Sequence, residues 1–124
     1  MDLHLAEGEY RFCSIVWERG AIASGDLAQE GARRLDWKKS TCYTVLRRLC
    51  QRGILTNENA QVRALVGQEQ VQRQQSVEMV ERTFGGSLPR FLTAFMQGRR
   101  ISDQEAEQLK ALIDNYRRGG KPDE

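Results

Sequence analysis

Apolar positions along this chain change their spacing, and each change marks an element. Over residues 7–19, Tyr10, Phe12, Cys13, Val16 and Trp17 supply apolar bulk at helical intervals and Gly20 closes the run, which predicts a first helix. Ala21-Ile22-Ala23 is a short link that can pair as a brief edge strand. A second helix is predicted over 25–34, with Ser24 as N-cap, Asp26 in its first turn, and Leu27 and Leu35 facing the core. After a turn around Asp36, a third helix is predicted over 38–52, with Cys42, Val45, Leu46 and Leu49 along one side. Gly53 stops it. Ile54-Leu55-Thr56 and residues 61–66 then resemble two short strands, with turn chemistry in Asn57-Glu58-Asn59-Ala60 between them.

Three helices followed by a hairpin is the order of a winged helix-turn-helix unit. From Gly67 the character changes. Residues 68–83 are rich in Gln, Glu and Arg, with only a thin stripe of Val71, Val77, Met79 and Val80. Gly85-Gly86 breaks this helix, and Ser87 caps a more apolar one over 88–97. Ser102 and Glu105 form a capping box that opens a last helix over 103–117, and residues 119–124 read as a disordered tail. The fold class is therefore mainly α: a winged-helix domain over 1–67, then a helical domain over 68–118. Three thin helices cannot enclose much core of their own. They can pack back on the first domain or interlock with those of a second copy. The second arrangement is the expectation, through Val80, Phe84, Leu88, Phe91, Leu92, Phe95, Leu109, Leu112, Ile113 and Tyr116, because a two-fold dimer presents two recognition helices at once.

Charge sharpens the picture. The formal net charge is +2, but residues 33–52 hold seven basic groups against the single acid Asp36, a local +6 on a remainder of −4. At about 100° per residue, Ser40, Thr41, Thr44, Arg47 and Arg48 of the third helix gather opposite its apolar side. Short hydroxyls reach base edges, and cations hold phosphates. Ser40, Thr41, Tyr43 and Thr44 are thus the candidates for base-edge or adjoining contacts, and Lys38, Lys39, Arg47, Arg48 and Arg63 for the duplex backbone. Capping by Ser40 or Thr41, and Tyr43 lying flat on the domain, are the structural alternatives.

Other chemistry is scarce. Cys13, Cys42 and Cys50 have neither CxxC nor zinc-finger spacing and read as buried free thiols in a reducing cytosol. His4, in a terminus expected to fray, is the single histidine. No Ser/His/Asp set, phosphate-cradling glycine loop, signal peptide or membrane-length apolar run is present. A cytoplasmic, non-enzymatic protein without cofactor, metal or membrane insertion is expected.

With these pieces placed, the chain resembles the BlaI/MecI family of penicillinase repressors over nearly its whole length. Five segments carry the likeness in order: Glu7-Gly8-Glu9-Tyr10 through Trp17; Trp37 and Thr41 through Leu46 with Arg48-Leu49 and Gly53-Ile54-Leu55; 65–70; 84–88; and 101–105. The resemblance implies a homodimeric repressor on a palindromic operator, relieved when a membrane sensor-peptidase cuts the dimerisation domain near Ala94-Phe95. Ala94 stands where the best-known repressors have Asn. The copper-responsive members end in Cys-x-Cys pairs, whereas this chain has no cysteine after Cys50, which disfavours metal sensing. The wing departs too: only nine residues separate Leu55 from Leu65, without the family's Gly-Arg tip or tyrosines, leaving Arg63 as the hairpin's one basic residue. Weaker binding dominated by the recognition helix follows, or, as the alternative, an interaction module that has lost DNA.

Overall fold

A computed structural model describes residues 2–119. The elements run α1 (Glu7–Arg19), β1 (Ala21–Ala23), α2 (Ser24–Leu35), α3 (Lys39–Gln51), β2 (Leu55–Glu58), β3 (Gln61–Ala64), α4 (Gln68–Phe84), α5 (Leu88–Met96) and α6 (Asp103–Arg117). The predicted helices are all present, and β1 joins the hairpin to make a small antiparallel sheet of order β1-β3-β2. The architecture is a winged helix followed by further helices.

Two local expectations are corrected. Ser24 is the first residue of α2 rather than its cap; Ala23 holds the N-cap position with no side-chain hydrogen bond, because Ser24 has its backbone N–H bonded to the Ala60 carbonyl across the sheet. The hairpin turn is two residues, not four. Glu58 pairs with Gln61, and Asn59 and Ala60 both take positive φ (54° and 62°), the type I′ geometry whose twist matches that of the strands. Strand β2 therefore reaches Glu58, and β3 stops at Ala64.

The core is one cluster in which α1, α2, α3 and the sheet meet. Phe12, Leu27, Leu49, Ile54 and Leu55 are fully buried there, each contributing about 1.5–3 kcal/mol relative to exposure. Gly31 brings α2 close to α3: a Cβ there would lie 2.7 Å from Cys42 Sγ and 3.3 Å from Phe12 Cε1. Trp37, just before α3, stacks on Phe12 at 5.7 Å between centroids.

The N-terminal segment is not frayed. Leu5 is buried, Arg52 donates to the carbonyls of Asp2 (3.2 Å) and His4 (2.6 Å), and Gln75 Nε2 donates to that of Leu5. The first turns of α4 join the same body. Val71 is fully buried, the amides of Gln68 and Gln72 donate to the Tyr10 hydroxyl, and Trp17 Nε1 donates to the Val66 carbonyl.

The chain divides into two compact units, Met1–Gly86 and Ser87–Glu124. The first unit thus runs past the change of character at Gly67, because Val71 carries α4 into the core of the winged helix. In the second unit Ser87 and Ser102 cap α5 and α6 as expected, accepting from the backbone N–H of Arg90 and of Glu105. None of the described residues of that unit is buried. Of the tail expected to be disordered, only Gly119 lies within the described residues. No helix among them is long and apolar enough to cross a membrane.

Candidate nucleic-acid interface

Helix α3 is fixed from beneath and open above. Cys42, Val45, Leu46 and Leu49 are buried, whereas Ser40, Thr41, Tyr43, Thr44, Arg47 and Arg48 are exposed, the division expected from helical spacing. Its N-terminus is also open. Lys38 is the N-cap, no side chain caps the helix, and the first turn carries no acid. Neither Ser40 nor Thr41 therefore acts as a cap. The free N–H groups of this turn and the positive end of the helix dipole, flanked by Lys38 and Lys39, form a surface suited to a phosphate oxygen.

The Thr44 hydroxyl donates to the Ser40 carbonyl at 3.0 Å. Its proton is thereby engaged, and outward it offers lone pairs and a methyl group. That combination suits an exocyclic amine or a thymine methyl rather than a base acceptor. Tyr43, 42 % exposed, turns towards the hairpin and lines a groove with Arg47, Cys50, Thr56, Asn57 and Leu65. Thr56 also borders the surface carrying Arg63, its partner across the ladder, so the exposed face of the hairpin continues the groove. The hairpin tip carries Glu58 and no cation.

The seven cations of residues 33–52 separate into two groups. Arg33 bonds Glu30, and Arg34 bonds both Glu18 and Glu30. The hydrogen bond from Arg33 is the main cause holding the Glu30 carboxyl below its ordinary range, against some desolvation and with help from Arg34. Arg52 is occupied by the N-terminal carbonyls and by Glu9 at 3.6 Å. Arg48 stands between the groups, 3.5 Å from the same Glu9 but still half exposed. Among the described residues Lys38, Lys39 and Arg47, together with Arg63, form no ion pair. The local +6 is therefore partly neutralised in space by acids outside the stretch, Glu30 just before it and Glu9 and Glu18 further off. Spacing could have exposed the Glu30 pairs, which lie three and four residues apart on one helix, but the sequence reading did not use it. Nothing local signalled Glu9 or Glu18 as partners.

The dimerisation candidates fall on both sides of Gly86. Val80 and Phe84 are half-buried on α4; Phe91, Leu92 and Leu109 are half-buried in the second unit. Leu88, Phe95, Leu112, Ile113 and Tyr116 are 44–59 % exposed, a large apolar surface for so small a body. Ala94 and Phe95 are exposed within α5, where the Arg99 guanidinium lies 4.9 Å from the centre of the Phe95 ring.

A model of the family described as penicillinase repressor matches residues 5–115. The chain belongs to that family. The penicillinase repressor family consists of DNA-binding transcriptional regulators, not enzymes, which agrees with the open cationic helix and the absence of catalytic constellations from the sequence. The chain is also similar to the methicillin resistance regulatory protein MecI of Staphylococcus aureus strain N315, at 19 % identity over 114 residues, covering 89 % of this chain and 93 % of that protein. A second Staphylococcus aureus protein of the same name matches with the same figures. The likeness to a repressor family extends past the winged helix into the segment that holds α5 and most of α6.

Proposed function

We propose that two copies of this chain bind an inverted-repeat operator, each laying α3 in a major groove, and so silence a promoter. One observation carries the reading: a helix locked from below by four buried side chains presents Ser40, Thr41, Thr44, Lys39 and Arg47 together, with an uncapped N-terminus. Thr44 and its neighbours Ser40 and Thr41 meet base edges, Tyr43 an adjoining sugar or base, and Lys38, Lys39, Arg47 and Arg63 phosphates. Arg48 adds to these when it leaves Glu9.

The dimer rests on the second unit. A body with no buried side chain among its described residues gains little from folding alone, so its exposed Leu88, Phe95, Leu112, Ile113 and Tyr116 call for a covering surface. An identical unit supplies one by two-fold symmetry. Relief of repression by a membrane sensor-peptidase that cuts between Ala94 and Phe95 extends the proposal. A protease needs extended backbone, and a helix without buried anchors in its own unit opens locally at low cost.

A second reading is favoured by the hairpin. Its tip is short and acidic, and Leu65 at its base is 61 % exposed, which suits a protein partner better than phosphates. A mobility-shift titration of the full chain on its own promoter region separates the two. Specific retardation abolished by Thr44→Ala together with Lys39→Ala supports the repressor; no retardation even in dilute buffer supports the interaction module.

A further inference from the structure

The first unit contains a second surface that DNA recognition does not use. Between the N-terminal segment, α1 and α4 lies a cleft of about 510 Å³, within the size range of small-molecule sites. Leu5, Tyr10 and Met79 give it an apolar lining, and its one charged lining residue is Glu7, which forms no ion pair among the described residues.

Gln75 adds the feature that packing leaves unexplained. Its Nε2 donates to the Leu5 carbonyl at 3.3 Å, which fixes which end of the amide is oxygen. That oxygen is buried and accepts no hydrogen bond. A buried acceptor without a donor is costly and uncommon in a folded protein. Gln75 itself lines the cleft, so a turn of its amide is what would present Oε1 to a donor placed there. The neighbouring Tyr10 hydroxyl accepts from both Gln68 and Gln72, which holds its ring in place.

From this arrangement we propose that the cleft binds a small amphipathic organic cation: an aromatic or aliphatic body against Leu5, Tyr10 and Met79, an ammonium group at Glu7, and an N–H donor to Gln75 Oε1. The lining contains acceptors and an anion but no basic residue, so an organic anion of the same shape is rejected. An occupant touches α1 and α4 together. It thus acts on the joint between the DNA-binding helices and the first helix of the C-terminal part. The site stands independently of the operator reading, and its test needs no DNA.

The test is calorimetric or NMR titration of the full chain with tryptamine, which carries an indole N–H and an ammonium group on one small body. Indole-3-propionate, of similar shape and opposite charge, is the control. Saturable tryptamine binding with Kd on the order of 1 mM is expected for a ligand of this size. Binding at least about tenfold weaker is expected for the anion, for Glu7→Gln and for Gln75→Leu. Glu7 is exposed, so its variant keeps the fold, and a thermal melt checks Gln75→Leu. No saturation up to about 10 mM, ten times the expected Kd, overturns the proposal. So does equal binding of the anion, or tryptamine affinity unchanged in both folded variants.

Discussion

The sorting of cations into paired and unpaired groups sets the salt dependence of DNA binding. Each phosphate contact releases counterions and contributes a slope of about −0.9 to log K against log salt. Lys38, Lys39, Arg47 and Arg63 form no ion pair among the described residues, so the proposed dimer makes about eight contacts and has a slope of about −7. Had Arg33, Arg34, Arg48 and Arg52 taken part as well, the slope would approach about −14. Between 50 and 200 mM salt the smaller value corresponds to roughly a 10⁴-fold loss of affinity. Fluorescence anisotropy of a labelled operator duplex across that range gives the slope directly. Lys39→Ala removes one contact per protomer and should flatten it by about 2, to roughly −5. Arg33→Ala should leave it unchanged, because that guanidinium already bonds Glu30 at 2.7 Å. Glu9→Gln releases Arg48 and should steepen the slope by up to about 2. A wild-type slope near −14, or one that Arg33→Ala reduces as much as Lys39→Ala does, refutes the assignment.

Three further outcomes follow from the packing. Gly31→Ala gains helix propensity, but its Cβ meets Cys42 Sγ at 2.7 Å with Phe12 on the other side; a net loss of about 1–2 kcal/mol in chemical denaturation is expected, and a gain contradicts the close approach. Ala60→Gly relieves a left-handed alanine in the hairpin turn and should raise stability by up to about 1 kcal/mol, seen as a higher melting temperature. Burial, with a smaller effect from Glu9, pushes the Cys13 thiol up to about 12, so it stays protonated when native. Its contribution to stability is whole below the ordinary thiol value of 9.0 and is lost as pH rises from there towards about 12. Alkylation at pH 8 should modify the half-buried Cys50 before Cys13, as mass spectrometry of the native protein reads out.

Periodicity made every helix legible, because each carries an apolar stripe whether or not it is buried: Cys42, Val45, Leu46 and Leu49 alone define α3 and its open face. The hairpin was legible as an element but not in its turn. Asn59 suits the left-handed region, whereas Ala60 disguises a position where glycine is usual. Ser24 read as a cap because its side chain fits that role, but its backbone was drawn into the sheet by Ala60, a partner 36 residues away. The cationic face was overestimated for the same reason. Glu9 and Glu18 come from α1, and sequence distance hides them from Arg48, Arg52 and Arg34. The docking of residues 2–5 under Arg52 and Gln75 was equally invisible, since it depends on carbonyls that carry no side-chain signature.

The central claim is that paired copies place α3 in successive major grooves of one duplex. Its most direct measurement is affinity for a series of inverted repeats, built from the promoter half-site, in which the spacing between centres is varied a base pair at a time. Two-copy binding should peak at a spacing of about one helical turn, roughly 10 base pairs, or a multiple of it, and fall on either side. Affinity indifferent to spacing, with one copy bound per duplex, contradicts the claim.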